Sequence, residues 1–381
     1  MCNNNQIYGI FLHFMVQTLE EIKLSGLTYA TDSQPGIYRK GEPGKFHYET
    51  KEGERVKDDE RLERIKALVI PPAWTEVWIA NRKSAYLQVT GVDAAGRKQY
   101  RYHPDWTSRR SESKYFRLLE FGKTLPQARK RIAKDLRRKD FDEQKVLAIC
   151  MQVMLKTLIR VGNGSYRELY GSHGLTTLRN KHVKIKGNQL RLKFIGKKGV
   201  QQDVNLNDKT LAKLVKKCME IPGQDLFQYY TEGSEHRPID SGKLNNYIRE
   251  ITDCDFTAKD FRTWGGTLEA LRQLAKCNIE SMQTATSKKK AIVQVLDFVA
   301  SKLGNTRAVC KSSYVYPVLL EAFENNQLGK YLKKINIKPA VSNTAMENDE
   351  KVLMAFLKAV QNKKITIKKA ASRKGLLKKS A

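Results

Sequence analysis

The run SKLGNTRAVCKSSY, residues 301–314, decides how the second half of this 381-residue chain is interpreted. Leu303-Gly304 is typical of a helix end, because glycine readily adopts the left-handed backbone that closes a helix. Asn305-Thr306 then begins a polar turn, and Tyr314 ends the run. Tyr314 is one of 16 tyrosines, so by itself it indicates packing rather than chemistry. Its meaning depends on the cations that the rest of the chain supplies.

Three basic residues upstream lie in marked contexts. Arg160 follows an apolar helical pattern from Glu143 to Ile159, and Arg262 lies within KDFRTW. Between them, Lys197 lies in GKKG, which predicts a turn between two strands. Guanidinium groups bind phosphate oxygens through forked donors and stay charged. A tyrosine nucleophile, two permanent cations, an amide and a lysine acid therefore suit transesterification at a phosphodiester.

Each of these residues also has a plain structural interpretation. Arg160 at a helix end is suited to capping carbonyl groups. Asp260 and Asp255 are candidate salt-bridge partners for Arg262. Lys197 at the tip of a turn is by default a solvated surface charge. Taken one at a time, these residues leave both interpretations open.

The charge of the chain favours a polyanionic partner. Lys and Arg number 70 against 40 Asp and Glu, which gives a formal net charge of +30. Such an excess is typical of nucleic-acid-binding proteins. Because hydrophobic residues make up 40% of the chain, it has enough apolar material for real cores and is not a disordered polycation.

Several classes of protein are disfavoured. The apolar stretch Ile7 to Val16 is too short to span a membrane, and it lacks the basic flank of a signal peptide. The acidic residues suggest no carboxylate cluster suited to two metal ions, which argues against two-metal nuclease chemistry, so no metal site is expected. The cysteines are scattered without a C-x-x-C pair, which indicates small core residues in a reducing, intracellular compartment. They are Cys2, Cys150, Cys218, Cys254, Cys277 and Cys310.

The periodicity predicts an α+β protein with four segments. Residues 1–17 are an N-terminal extension, and residues 18–122 form a strand-rich domain closed by a helix from about Ser108 to Glu120. Residues 123–334 form a mainly helical domain with a small three-stranded sheet. Residues 335–381 supply a helix near Asn348 to Val360 and a basic tail that attracts DNA nonspecifically.

Seven ordered motifs between Pro71 and Tyr314 resemble those of the type IB DNA topoisomerases, in particular the small poxvirus and bacterial kind, and the likeness runs from about Gly36 to Phe323. The motifs are PPAWTEVWI at 71–79, GRKQY at 96–100, RVG at 160–162, LRNKH at 178–182, FIGK at 194–197, KDFRT at 259–263, and LGNT at 303–306 continuing to Tyr314. This resemblance covers most of the chain. It implies a strand-rich DNA clamp domain followed by a helical catalytic domain.

The resemblance also implies roles for the candidate catalytic residues. Tyr314 corresponds to the nucleophile that forms a 3′-phosphotyrosyl link and frees a 5′-hydroxyl. Arg160 and Arg262 correspond to the arginines that hold the nonbridging oxygens, and Lys197 to the acid that protonates the 5′-oxygen. Asn305 lies where viral members carry histidine and bacterial members also carry asparagine. Because an amide cannot titrate, Asn305 is expected to donate a hydrogen bond and not to act as an acid or base.

Candidate DNA-binding residues follow from the same resemblance. They are Gln99, Tyr100, Tyr102, Tyr166 and Lys259. The first three match a strand whose side chains enter the major groove, where glutamine is suited to adenine and tyrosine to base edges or phosphates. The other two match positions that flank the active site. Arg101 replaces an aromatic residue often found there, so no recognition sequence is transferred.

The expected function is therefore the relaxation of supercoiled double-stranded DNA by a monomer. One strand is cut, rotated and resealed, without ATP or metal as cofactor. A tyrosine recombinase is the nearest alternative, but it would usually show His-x-x-Arg where this chain has KDFR at 259–262, and it needs a tetramer. A noncatalytic DNA-packaging protein is the alternative from another class, supported only by the charge and the basic tail.

Overall fold

The structure is a computed structural model. It describes residues 22–23, 25–94, 96, 98–233, 235–277, 284–336 and 343–362, with backbone only at 107–116 and 343–346. The predicted extension at 1–17 and the basic tail lie outside the described residues. The chain divides into two compact units, Met1–Tyr115 and Phe116–Ala381. The four segment limits expected from the sequence stay a prediction.

The first unit is built on a five-stranded antiparallel sheet. Its strands are β1 (Gly36–Lys40), β2 (His47–Glu49), β3 (Thr75–Ala80), β4 (Leu87–Val92) and β5 (Lys98–Tyr102), in the order β2-β1-β3-β4-β5. Helix α1 (Asp59–Ala67) begins at Asp58, whose side chain accepts a hydrogen bond from the backbone of Glu60. Its Ile65 packs with Ile37 and Ile79 in one buried cluster on the sheet. Because β5 is the last strand in this order, it lies at an edge of the sheet.

The second unit is mainly helical, as the sequence predicts. Its helices are α2 (Pro104–Leu136, which begins in the first unit), α3 (Glu143–Thr157), α4 (Gly164–Tyr170), α5 (Lys209–Met219), α6 (Ser241–Thr252), α7 (Ala258–Ala275), α8 (Ala285–Leu303), α9 (Arg307–Ser313), α10 (Pro317–Glu324), α11 (Gly329–Leu332) and α12 (Asn343–Gln361). Within the described residues, none of the helices has the length and apolarity needed to cross a membrane.

Two small sheets complete the second unit. Strands β6 (Val183–Lys186), β7 (Gln189–Ile195) and β8 (Gln201–Asn207) form the expected three-stranded antiparallel sheet. Strands β9 (Gln228–Tyr230) and β10 (His236–Pro238) form a further hairpin that the sequence pattern did not predict. Strands as short as these carry too few alternating residues to give a periodic signal.

Helix α2 continues through the place where the sequence predicts a helix end. Gly122 and Pro126 both lie inside it, so the expected helix from Ser108 to Glu120 is too short. Proline in a helix interior costs about 3 kcal/mol. The buried stripe continues across it through Phe121, Leu125 and Ile132, and this burial outweighs the local penalty. Gly122 serves close packing, because a β-carbon there would meet Met354 and Trp264.

Helix α3 is the central element of the second unit. It packs against α5, α6 and β9, and Val146, Ile149 and Val153 are completely buried. The helix ends at Leu158, whose backbone is left-handed with φ of 56°. The apolar pattern to Ile159 therefore runs slightly past the helix, and Asn163 caps the following helix α4.

The run 301–314 has the predicted helix end but more helix than expected. Gly304 caps α8 in the left-handed conformation, with φ of 61°. Thr306 then caps α9, and its side chain accepts a hydrogen bond from the backbone of Val309. The predicted polar turn is thus the N-terminal cap of a short helix. Tyr314 lies at the C-terminal cap of that helix.

Buried charged side chains attach helix α12 to the rest of the second unit. Asp349 is 1% exposed and pairs with Arg272 at 2.7 Å. Glu350 accepts hydrogen bonds from Arg129 at 2.7 Å and from the indole of Trp264 at 3.0 Å. Since Trp264 and Arg272 belong to α7, the acidic side chains of α12 brace the helix that also carries Arg262.

Replacement of Glu350 by alanine should lower the free energy of unfolding by about 1–3 kcal/mol, because the buried indole N–H of Trp264 loses its acceptor. Urea denaturation measures this difference. Lys351→Ala is the matched control, since Lys351 is exposed on the same helix and its loss should cost less than about 0.5 kcal/mol. Equal stabilities of the two variants would contradict this account of α12.

Candidate active site

Arg262 is a buried cation held by the ends of two helices. It lies on α7 with 3% of its surface exposed. Its Nη1 donates a hydrogen bond to the carbonyl of Leu158 at the end of α3, and its Nη2 donates to the carbonyl of Leu303 at the end of α8, at 3.0 Å. Terminal helix carbonyls lack partners within the helix and carry partial negative charge, so they suit a guanidinium group.

Arg160 reaches the same helix end from the other side. The left-handed residue Leu158 turns the chain out of α3, and Arg160 follows in non-helical backbone. Its Nη1 donates a hydrogen bond to the carbonyl of Gly304 at 3.1 Å, and its Nη2 donates to Oδ1 of Asn305. Arg160 does cap a helix carbonyl, as its plain structural interpretation expects. That carbonyl, however, belongs to Gly304 at the end of α8 and not to α3.

Neither arginine is neutralised by a carboxylate within the described part of the chain. Asp260 instead accepts hydrogen bonds from the backbone and hydroxyl of Thr257, both at 2.8 Å. Asp255 pairs with Arg249 at 3.3 Å. The salt-bridge interpretation of Arg262 is thus wrong. Two guanidinium groups bound only to neutral acceptors leave a site with excess positive charge, which suits an anion.

Tyr314 is placed against these cations by α7. A β-carbon on Gly266 would stand 2.8 Å from the carbonyl oxygen of Tyr314, so only glycine lets the two backbones approach this closely. The hydroxyl of Thr267 lies 3.3 Å from the same oxygen and accepts a hydrogen bond from the backbone of Tyr316 at 3.2 Å. The guanidinium carbon of Arg262 lies 5.1 Å from the centroid of the Tyr314 ring.

The surrounding cations make Tyr314 more acidic than an ordinary tyrosine. Burial by itself raises its pKa, but the charge of Arg262 and a hydrogen bond from it act in the opposite direction. Arg160 and Lys259 add smaller effects of the same sign, and the pKa of Tyr314 ends below its usual value. A lowered pKa enlarges the phenolate fraction near neutral pH, and phenolate is the nucleophilic form.

The amide of Asn305 has a fixed orientation. A guanidinium group only donates hydrogen bonds, so the atom of Asn305 that faces Arg160 must be Oδ1. Nδ2 then points elsewhere, and in the described structure it is buried without a hydrogen-bond partner, as is Nε of Arg262. Buried donors without acceptors are costly, by about 1–3 kcal/mol each, so their occurrence together favours a ligand rich in acceptor oxygens.

Lys197 lies apart from the contacts that join the other four residues. It opens a tight turn at Lys197–Gly199, in which Lys198 and Gly199 are both left-handed, and its side chain is exposed. Its ammonium lies 5.5 Å from the ring centroid of Tyr166 on α4. The structure therefore brings together Tyr314, Arg160, Arg262 and Asn305, and it places Lys197 beside Tyr166.

The expected DNA-contacting residues of β5 lie on two faces of that strand. Tyr100 and Tyr102 share the exposed face, with their rings stacked at 6.3 Å, and Tyr100 is 49% exposed. Gln99 points to the other face, where its Nε2 donates to Asp93 at 2.8 Å. Arg101 lies on that face too and donates to the carbonyl of Leu68. One strand face therefore cannot present Gln99 together with both tyrosines.

Sequence reasoning missed three residues that shape the site, namely Leu158, Gly266 and Thr267. Leu158 and Thr267 give no local signal, because one acts through its carbonyl and the other through contacts made far along the chain. Gly266 had a usable signal. Two adjacent glycines, Gly265-Gly266, interrupt an otherwise helical pattern, and such glycines usually mark a close approach of another backbone.

Comparison with known proteins agrees with this geometry. Residues 103–341 match the family model described as eukaryotic DNA topoisomerase I, catalytic core, and residues 45–93 match bacterial DNA topoisomerase IB, N-terminal domain. The chain is 33% identical over 296 residues to DNA topoisomerase 1B of Acanthamoeba polyphaga mimivirus. The aligned part is 76% of this chain and 88% of the viral protein. It is 23% identical over 310 residues to DNA topoisomerase 1B of vaccinia virus strain Copenhagen, covering 79% of this chain and 91% of that protein.

A half-buried tyrosine beside two arginines that have no carboxylate partner among the described residues suits the phosphoryl-transfer class of enzyme with a protein nucleophile. The chain belongs to the type IB DNA topoisomerase family. The resemblance noted from the ordered motifs is thereby confirmed, as is the α+β fold class.

Loss of the neighbouring cations should raise the pKa of Tyr314. Arg262→Gln removes the largest favourable contribution, and Lys259→Gln removes a smaller one from an exposed position. We expect the pKa to rise in both variants, and more in the first. NMR titration of tyrosine labelled with carbon-13 at Cζ measures the pKa, with Tyr314→Phe used to assign the signal. An unchanged titration in Arg262→Gln would contradict the electrostatic account of the site.

Proposed function

We propose that this chain relaxes supercoiled duplex DNA by cutting one strand, letting it rotate and resealing it. The observation that carries the proposal is the position of Tyr314 against the guanidinium group of Arg262 and within the electrostatic influence of Arg160, since no described carboxylate neutralises either arginine. The names of the mimivirus and vaccinia relatives, both DNA topoisomerase 1B, support the same reaction. The partner is double-stranded DNA, and the proposed working form is a monomer.

In the proposed cleavage step, the phenolate oxygen of Tyr314 attacks a backbone phosphorus and the bond from phosphorus to the 5′-oxygen breaks. The phenol proton passes to solvent, and the products are a 3′-phosphotyrosyl link and a free 5′-hydroxyl. Arg160 and Arg262 bind the nonbridging oxygens, where negative charge grows in the transition state. The unpartnered Nδ2 of Asn305 supplies a further, neutral donor.

The departing 5′-oxygen needs a proton, because an alkoxide is a poor leaving group. Lys197 is the proposed acid. Its turn is exposed and its ammonium lies 5.5 Å from the ring centroid of Tyr166. The proposal requires both residues to lie beside the scissile phosphate when DNA is bound. Lys259, exposed on α7 and close enough to influence Tyr314, is suited to a neighbouring phosphate.

Resealing is the reverse of cleavage. The phosphotyrosyl link stores the free energy of the broken phosphodiester bond, so the 5′-hydroxyl restores the strand by attacking it without ATP. The arginines supply the cationic stabilisation, and the proposed reaction needs no metal.

In the first unit, the exposed face of β5 with Tyr100 and Tyr102 is the proposed DNA-contacting surface.

Tyr314→Phe should abolish both relaxation and the covalent protein–DNA adduct, because phenylalanine lacks the attacking oxygen. The measurement is plasmid relaxation in EDTA without ATP, followed by denaturation to trap the adduct. Tyr316→Phe is the matched control, since that nearby residue contacts Thr267 through its backbone nitrogen. Relaxation by Tyr314→Phe at the wild-type rate would refute the proposed function.

Lys197→Ala should slow cleavage of ordinary DNA by about 100- to 10,000-fold, the usual contribution of a general acid. A DNA substrate with sulfur in place of the scissile 5′-oxygen provides the check, because a thiolate leaves without a proton. Single-turnover cleavage of that substrate should be nearly as fast in Lys197→Ala as in wild type. A defect of equal size on both substrates would remove Lys197 from the acid role.

A further inference from the structure

Gln202 lies between the turn that carries Lys197 and the turn that carries Asn305. It is part of β8, where it pairs with Phe194 of β7, and its side chain is half-buried. Among the described residues, its Nε2 makes only a long hydrogen bond of 3.4 Å, to the carbonyl of Gln201. The side chain is therefore held chiefly by what it packs against.

The outer end of Gln202 packs against Gly304. A β-carbon on Gly304 would stand 2.5 Å from both Nε2 and Oε1 of Gln202 and 2.8 Å from its Cδ. Because Cδ is farther away than both terminal atoms, the amide group presents its outer edge, Nε2 and Oε1, to Gly304. Gly304 is followed by Asn305, and its own carbonyl accepts a hydrogen bond from Arg160. Gln202 thus touches the segment that organises the cationic site.

The inner part of Gln202 packs against Gly196. A β-carbon on Gly196 would stand 3.2 Å from Cγ of Gln202. Gly196 closes the turn through the hydrogen bond from its backbone nitrogen to the carbonyl of Val200, at 2.8 Å, and Lys197 comes next in the chain. One side chain therefore contacts the base of the lysine turn and the cap of α8 at the same time.

We infer that Gln202 is a positioning residue for cleavage: it fixes the Lys197 turn relative to the Gly304–Asn305 turn. This inference rests on the proposed function, because it assumes that Lys197 is the acid. The physical reason is geometric. Proton transfer needs the acid within hydrogen-bond reach of the leaving oxygen, and Lys197 sits on an exposed turn with two left-handed residues. Contact with Gly304 restricts how far the base of that turn can move from the arginines.

Gln202→Ala should slow single-turnover cleavage of ordinary DNA by about tenfold, less than the loss caused by Lys197→Ala. The defect should disappear on the substrate with a 5′-sulfur leaving group, which needs no acid. A merely structural role would slow both substrates equally. Two results would overturn the inference: a defect of equal size on both substrates, or no defect on ordinary DNA.

Two further variants sharpen the test. Adding Gln202→Ala to Lys197→Ala should cause no further loss, since an absent acid cannot be misplaced. Multiplied defects in the double variant would overturn the inference. Gln201→Ala is the matched control, because Gln201 is exposed and its side chain points to the other face of β8. It should cleave both substrates at the wild-type rate, and a defect like that of Gln202→Ala would count against a specific role for Gln202.

The conservative variant Gln202→Met tests packing directly. Methionine has a similar length and would fill the space against both glycines, so it should restore the rate on ordinary DNA to within about threefold of wild type. A defect as large as that of Gln202→Ala would overturn the inference. Failure of the proposed function would be seen in a different variant. In that case Lys197→Ala itself would show no rescue by the sulfur substrate.

Discussion

The structure of the active site depends on one buried cation bound by two helix ends. Arg262 donates to the carbonyl of Leu158, which closes α3, and to that of Leu303, which closes α8. Burying a guanidinium group without a carboxylate costs several kcal/mol, and charged hydrogen bonds of roughly 1.5–3 kcal/mol each offset that cost. Because carbonyl groups are neutral, these bonds stabilise Arg262 without cancelling its charge. The same interaction therefore fixes the two helix ends and leaves the positive charge available to an anion.

The second arginine and the amide extend this arrangement. Arg160 follows Leu158 in the chain and binds the carbonyl of Gly304, so each guanidinium group connects the end of α3 to the end of α8. Arg160 also orients Asn305, and its neutral amide then offers one donor without adding charge. In the proposed mechanism the two arginines therefore balance the negative charge of the transition state, and the amide adds a neutral, directed hydrogen-bond donor. Asn305 cannot take over the proton transfers, which leaves that task to Lys197 in the proposed mechanism.

Close backbone approaches hold Tyr314, the proposed nucleophile, beside these arginines. Gly266 lets the chain at Tyr314 come against α7, and Gly304 leaves room for the side chain of Gln202. Helix α12 supports α7 from another side through Asp349 and Glu350, whose carboxylates are almost fully buried. Helix α7 is thus fixed by contacts from segments that are distant in sequence. The geometry at Tyr314 depends on all of these contacts.

The sequence by itself determined the chemical groups, the α+β class and the family, because ordered motifs such as KDFRT and LGNT at 303–306 are local patterns. It also determined the Lys197 turn, since glycines on both sides specify it. Only the tertiary structure decided that Arg262 binds carbonyl groups rather than Asp260 and that α2 continues through Pro126. The physical reason is that partner choice and burial depend on residues far apart in the chain, whereas turns and caps depend on neighbours.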